Sequence, residues 1–252
     1  MDQSNPHNYL DGEKRYFSEI GDYFAQSTGS FSEKAHAVAR FMPRQSFSYM
    51  LARIEVYKRI LPLHGSVLDF GIHRGASFFT WLQLNAIYEP YNHNRKFIGF
   101  DSFSGFSALG DEDAGGEAIA LKKQGGMDFP DGLTEIMRGI ELHDLNRPLG
   151  HVRNALVIQD EAGAGLARYL QEHPETIVAM ANFGLGLYQP TLELLTLLKP
   201  RLQKGSVLVF EELNQANWPG ETRALYEVFT PNEICLQRDP ICPHLSYMVY
   251  GG

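Results

Sequence analysis

Three short stretches place glycines and polar side chains where a chain could hold a nucleoside. The first is Val67-Leu-Asp-Phe-Gly-Ile-His-Arg-Gly-Ala-Ser77. Gly71 and Gly75 let the backbone turn tightly and approach a ligand, and the helix that starts at Ala76 and Ser77 offers free amide protons. The G-x-x-x-G spacing is not the G-x-G-x-x-G of dinucleotide sites, so a pyrophosphate is not favoured. The second stretch, Phe97-Ile-Gly-Phe-Asp101-Ser102, is an apolar run ending in an acid suited to both hydroxyls of a ribose. The third, Val157-Ile-Gln159-Asp160, offers an apolar wall and polar groups for a purine edge. Together they describe a site for an adenosine-containing ligand without a pyrophosphate, and S-adenosylmethionine fits that description. Asp69, Phe70, Gly71, Gly75, Ala76, Ser77, Asp101, Ser102, Gln159 and Asp160 are therefore the candidate cofactor-binding residues.

These stretches must be carried by strands. Apolar runs at Ser66–Phe70, Lys96–Phe100, Ala155–Ile158, Thr176–Ala181 and Ser206–Phe210 alternate with helix candidates at 76–88, 163–173, 190–202 and 220–229. Short strands apolar on both faces and separated by helices predict a parallel, doubly wound sheet covered on both sides, an α/β Rossmann-like fold. His244 to Tyr250 alternates and predicts an antiparallel edge strand at the C-terminal end. Residues 1–30 read as a loose arm with one short helix. From Glu33 to Ile60 apolar residues recur at helical spacing, giving an N-terminal helical unit over 1–60 and a main domain over 61–252. Residues 107–153 break the rhythm with a Gly- and Asp-rich insertion that holds one helix near 131–140, and an insertion of this length suits a functional element such as a substrate lid, or a disordered segment.

The composition narrows the function. A formal charge of −8 over 252 residues argues against a phosphate-backbone partner. No run of about 18 apolar residues exists, so no membrane span is expected. The first 20 residues carry acids and lack an apolar core, so no signal peptide is expected and the location expected is cytoplasmic. Cys235 and Cys242 are read as reduced thiols.

Several motifs together resemble the macrocin-type sugar O-methyltransferases. They are Pro43-Arg-Gln, Glu89-Pro-Tyr-Asn-His-Asn-Arg, Phe100-Asp-Ser-Phe-Ser-Gly-Phe, Leu187-Tyr-Gln-Pro-Thr, Phe210-Glu-Glu-Leu-Asn and Trp218-Pro-Gly-Glu-Thr. The resemblance runs from about Pro43 to Tyr247. It implies a class I methyltransferase fold, S-adenosylmethionine as methyl donor, and a magnesium ion held by an aspartate after the fourth strand and an acidic pair after the fifth. The acidic pair is Glu211-Glu212. The aspartate position, and a second two residues later, fall on Gly184 and Gly186.

The resemblance therefore implies an O-methyltransferase acting on a hydroxyl of a small molecule, a sugar or a glycosylated or nucleotide-linked metabolite, with weakened or absent metal dependence. Its alternative is a degenerate homologue serving as a binding or scaffold subunit. Glu212 and His143 are the candidate bases, and Glu211 and Glu212 the candidate metal ligands. Arg44, Gln45 and Tyr49 match the family's lid, while Tyr188, Asn214 and Trp218 fall around the expected acceptor site. Homo-oligomerisation is left open.

Overall fold

The computed structural model describes residues 10–107, 109–116 and 120–252. Residues 1–9, 108 and 117–119, which carry the start of the expected arm and part of the expected insertion, lie outside the described residues.

Each apolar run becomes a strand. They are β1 (Ser66–Phe70), β2 (Phe97–Asp101), β3 (Ala155–Gln159), β4 (Val178–Phe183) and β5 (Leu202–Phe210). With β6 (Leu236–Arg238) and β7 (Ser246–Val249) they form one seven-stranded sheet in the order β3-β2-β1-β4-β5-β7-β6. Strands β1 to β5 pair in parallel, and β7 pairs antiparallel to both β5 and β6. The fold is the mostly parallel, doubly wound α/β sheet expected. The strand order reverses between β1 and β4, so their carboxyl ends open the crevice where such sheets bind ligands.

Alternation along the strands feeds two core layers. Val67, Phe97, Met180, Val207 and Val209 pack on one face with α3 (Arg44–Ile60), α4 (Ala76–Tyr88) and α5 (Gly132–Asn146). Leu68, Phe70, Ile98, Ala181, Phe183 and Leu208 pack on the other with α6 (Ala162–Glu172), α7 (Tyr188–Leu198) and α8 (Pro219–Val228). Strand β3 is the exception to two-sided burial, because it is an edge strand and leaves Leu156 exposed.

The N-terminal part departs from its expected outline. The short helix of the arm is the sixteen-residue α1 (Asp11–Gln26). The helical spacing over 33–60 is split into α2 (Phe31–His36), a 3-10 turn and α3, because Pro43 cannot continue a helix and becomes the residue that caps α3. Both cysteines are free. Among the described residues no helix is long and apolar enough to cross a membrane.

Candidate active site

The tips of β1, β2, β3 and β4 line one cleft of about 650 Å³, part of it open to solvent. Gly71 makes the turn out of β1 with φ +80°. A Cβ there would lie 2.7 Å from the Gly184 carbonyl oxygen, so only glycine lets the tips of β1 and β4 come this close. His73, also left-handed at φ +44°, donates its backbone N–H to Asp101 Oδ2 at 2.7 Å. Asp101 Oδ1 accepts the Phe103 N–H at 2.7 Å. One carboxylate thus ties the loops after β1 and β2 together, and each oxygen keeps a lone pair for a ligand hydroxyl.

On the far wall, Asp160 Oδ2 pairs with Arg168 at 2.6 Å and Oδ1 accepts the Glu161 N–H at 2.9 Å. Gln159 stands opposite Asp101 in the β2–β3 register. Ser102 also lines the cleft, as do Phe106 from the loop after β2, Met127 from the insertion, and Leu185 and Leu187 from the loop after β4.

Other candidates from the first loop lie beneath the cleft. Asp69 is fully buried, accepts from Asn182 Nδ2 at 2.8 Å, and has its carboxyl pushed up to about 6 by burial. Phe70 is a core residue stacked on Phe100. Gly75 starts α4 at φ +81°, and a Cβ on it would meet the Phe79 ring at 2.6 Å. Its glycine serves the turn and the packing of α4 against α5. Ala76 opens α4 and Ser77 is buried in its first turn.

The loops after β4 and β5 meet in a second corner. Gly186, at φ +66°, would place a Cβ 3.0 Å from Trp218 and 3.5 Å from Glu212 Cγ, so these three residues converge. Trp218 is buried beneath the insertion, with the Phe106 ring 5.4 Å away and the Lys122 ammonium 4.9 Å from its own ring. Lys122 donates to the main-chain oxygens of Asp113 and Asn217. Asp113 in turn accepts the Tyr188 N–H at 2.7 Å. Asn214 sits in the left-handed region and donates its N–H to Thr222 Oγ1 at 3.0 Å.

Glu211 is held by Arg53, whose Nη2 donates to Glu211 Oε1 at 2.8 Å. Glu221 is fully buried and accepts the Glu212 N–H at 2.9 Å. Burial, with Glu212 beside it, drives the Glu221 carboxyl well above its usual range, and its bond to the Glu212 N–H supports the loop.

Some candidates are not brought to the cleft. His143 is buried in the last turn of α5, both ring nitrogens lack a partner among the described residues, and burial lowers its basicity. Tyr188 packs its ring on the second core layer and gives its hydroxyl to Glu227 at 2.5 Å. Arg44 and Gln45 reach back to Glu13 of α1, while Tyr49 lies under the Arg53 guanidinium at 5.2 Å. Residues that sequence reading missed are His73, Phe106, Met127 and Arg53. Of these only Arg53 left a trace, a charge on the same helical face as Val56, Tyr57 and Ile60.

No family model and no curated protein matches the chain. Solved structures do. The chain is 28% identical to CalS11, a calicheamicin methyltransferase, with a TM-score of 0.90 over 97% of this chain and 95% of that one. An apo structure of CalS11, described as a TDP-rhamnose 3'-O-methyltransferase of calicheamicin biosynthesis, matches at 28% identity and a TM-score of 0.81 over 97% of each chain. This chain has the class I methyltransferase fold. The O-methyltransferase NovP shares that fold at 14% identity, with a TM-score of 0.57 over 81% of this chain and 79% of its own. The likeness to CalS11 bears out the resemblance to sugar O-methyltransferases and the reading of the chain as a methyltransferase.

The magnesium that the resemblance implies does not suit the residues present. Glu211 is already bonded to a buried guanidinium, and position 184 carries no side chain. Among the described residues no three His, Cys, Asp or Glu side chains converge as a ligand set.

Proposed function

We propose that the protein transfers a methyl group from S-adenosylmethionine to a hydroxyl of a sugar or nucleotide-linked sugar metabolite, without a divalent ion. The observation that carries this reading is the single cleft shared by the tips of β1 to β4. The likeness to CalS11, whose substrate is TDP-rhamnose, supports the acceptor class.

S-adenosylmethionine, when bound, supplies an electrophilic methyl on sulfur, which passes in line to the acceptor oxygen. The chain's part is to hold and orient. Asp101 takes the ribose hydroxyls, and Gln159 and Asp160 border the base. Phe106 and Met127 bring apolar surface over the cleft and exclude water. Glu212, beside Gly186 and Trp218, takes the hydroxyl proton. Proximity and orientation supply most of the acceleration in such a displacement. A base adds roughly 10²–10⁴-fold.

Incubation with methyl-labelled S-adenosylmethionine and a panel of free and nucleotide-linked deoxysugars, followed by NMR, tests this. A new O-methyl signal is expected. S-adenosylhomocysteine binding without turnover on any acceptor would favour the binding-subunit alternative, and no binding at all would remove the methyltransferase reading.

A further inference from the structure

The corner where β5 ends contains an internal cation. Arg53 rises from the middle of α3 into the protein, its side chain 7% exposed, and bonds Glu211 Oε1 at 2.8 Å. Aromatic rings flank the guanidinium, Tyr49 at 5.2 Å and Trp81 at 6.0 Å. Asp69 adds a second acidic neighbour from β1, while Arg53 Nε has no partner among the described residues. Burial works against the guanidinium charge, and the Glu211 carboxylate more than offsets it, so the group stays cationic.

Glu211 is also fixed at its root, its N–H bonding the Phe183 carbonyl at 3.3 Å, next to Gly184. Gly184 itself is open. A Cβ there would meet nothing closer than the Phe70 and Gly71 carbonyl oxygens, at 3.4 and 3.5 Å. Position 184 therefore has room for a Cβ but supplies no carboxylate, while the positive charge beside Glu211 comes from the chain. A divalent ion at this spot would have to share Glu211 with the guanidinium and set two further positive charges beside a buried arginine.

We propose that Arg53 is the resident cation of this corner, a positioning residue that holds Glu211 and supplies the positive charge a divalent ion would otherwise bring. The proposal rests on the methyltransferase reading for its catalytic meaning, but its charge arithmetic can be tested without turnover. Two carboxylates with one arginine leave the same net charge as three carboxylates with one divalent ion. Exchanging one arrangement for the other is therefore a defined operation, Arg53→Met combined with Gly184→Asp.

Mn²⁺ alone is the probe, titrated into the full chain and followed by EPR, with S-adenosylhomocysteine calorimetry reporting on the fold. The wild type is expected to bind Mn²⁺ only weakly and to turn over equally with and without EDTA. The double variant is expected to bind Mn²⁺ at least about tenfold more tightly, the scale on which supporting partners tune a metal site. Arg53→Lys, which keeps the charge, is expected to stay indifferent to EDTA. Arg53→Met is expected to lose about 10–100-fold in kcat with little change in the KM for donor.

Tight stoichiometric Mn²⁺ binding by the wild type would overturn the proposal. So would full activity of Arg53→Met, or a folded double variant that binds Mn²⁺ no better than the wild type. Loss of S-adenosylhomocysteine binding by the wild type would instead remove the methyltransferase reading, and the Mn²⁺ results would still decide where the cation comes from.

Discussion

Arg95 grips Glu89 with both prongs of its guanidinium, Nε to Oε2 at 2.7 Å and Nη2 to Oε1 at 2.9 Å. The remaining donors of Arg95 satisfy the carbonyls of Gly65, Ile60 and Leu63, and Tyr57 adds its hydroxyl to Glu89 at 2.7 Å. The pair closes the junction between the end of α3, the start of β1 and the start of β2, away from the cleft. Burial works to raise the Glu89 carboxyl, but the bonds from Arg95, Tyr57 and Asn92 hold it below its usual range. Glu89→Ala leaves a buried arginine uncompensated and is expected to cost about 3–5 kcal/mol of stability. Urea unfolding measures this, and a loss below 1 kcal/mol would contradict it.

Asp69 behaves in the opposite sense. Its carboxyl is pushed up to about 6 in the fold from a usual 3.8, so the folded state holds its proton more tightly than the unfolded chain does. Below pH 4 the group is neutral in both states and costs nothing. Between about pH 4 and 6 the unfolded chain ionises first, and this group's contribution to stability falls as pH rises, by on the order of 3 kcal/mol in all. Relative to the wild type, Asp69→Asn is therefore expected to gain stability between pH 4 and pH 7. Denaturation at the two pH values reads the difference, and an unmoved difference would show that burial does not oppose this charge.

The two glycines after β4 are expected to respond differently to a methyl group. Gly184→Ala meets only ordinary contacts, and its cost should stay below about 1 kcal/mol. Gly186→Ala must hold φ +66° and press on Trp218 at 3.0 Å, and it should cost about 1–3 kcal/mol. Thermal melts of the two variants rank them, and the reverse order would refute the loop geometry.

His143→Leu removes an imidazole with two unpartnered buried nitrogens. Since burial lowers its basicity, the unfolded chain takes up a proton near pH 6.5 that the folded chain resists, and stability from this group is lost as pH falls. The variant should melt no lower than the wild type at pH 7 and higher at pH 5. Its turnover should escape the roughly 10²–10⁴-fold loss that removing a general base brings. Glu212→Gln should suffer that loss with S-adenosylhomocysteine affinity unchanged.

Asp101→Asn replaces one accepting oxygen by a donor facing a backbone N–H. It should weaken S-adenosylhomocysteine binding by at least tenfold, because a hydrogen bond from a ligand hydroxyl to a charged acceptor contributes about 1.5–3 kcal/mol. Calorimetry checks it, and unchanged affinity would detach Asp101 from the donor site.

The strands were legible because a strand buried on both faces must be apolar throughout, and four such runs stand out beside the edge strand β3, which is apolar as well. Strand β6 was not, since its three residues are an edge outside β7 and need no apolar pattern. The acids at the strand tips were legible by position. Their partners were not: Asp101 spends its oxygens on main-chain N–H groups, which any residue supplies. The Arg53–Glu211 pair joins residues 158 positions apart, and no local spacing announces it. The Glu89 to Arg95 motif was visible as a likeness, yet its work is to brace the amino ends of the strands, far from any chemistry. Phe106 and Met127 reach the cleft through the path of a loop, which depends on turns such as Met127 at φ +66° more than on hydrophobic order.

The way the insertion is moored has an evolutionary corollary. Lys122 anchors to the carbonyls of Asp113 and Asn217, and Arg223 anchors to the carbonyl of Glu112. Main-chain oxygens are present whatever residue bears them, so these moorings persist while most of the surrounding side chains drift. Under the proposed function this segment is a cassette, free to retune which hydroxyl is chosen while the nucleoside platform below stays constant.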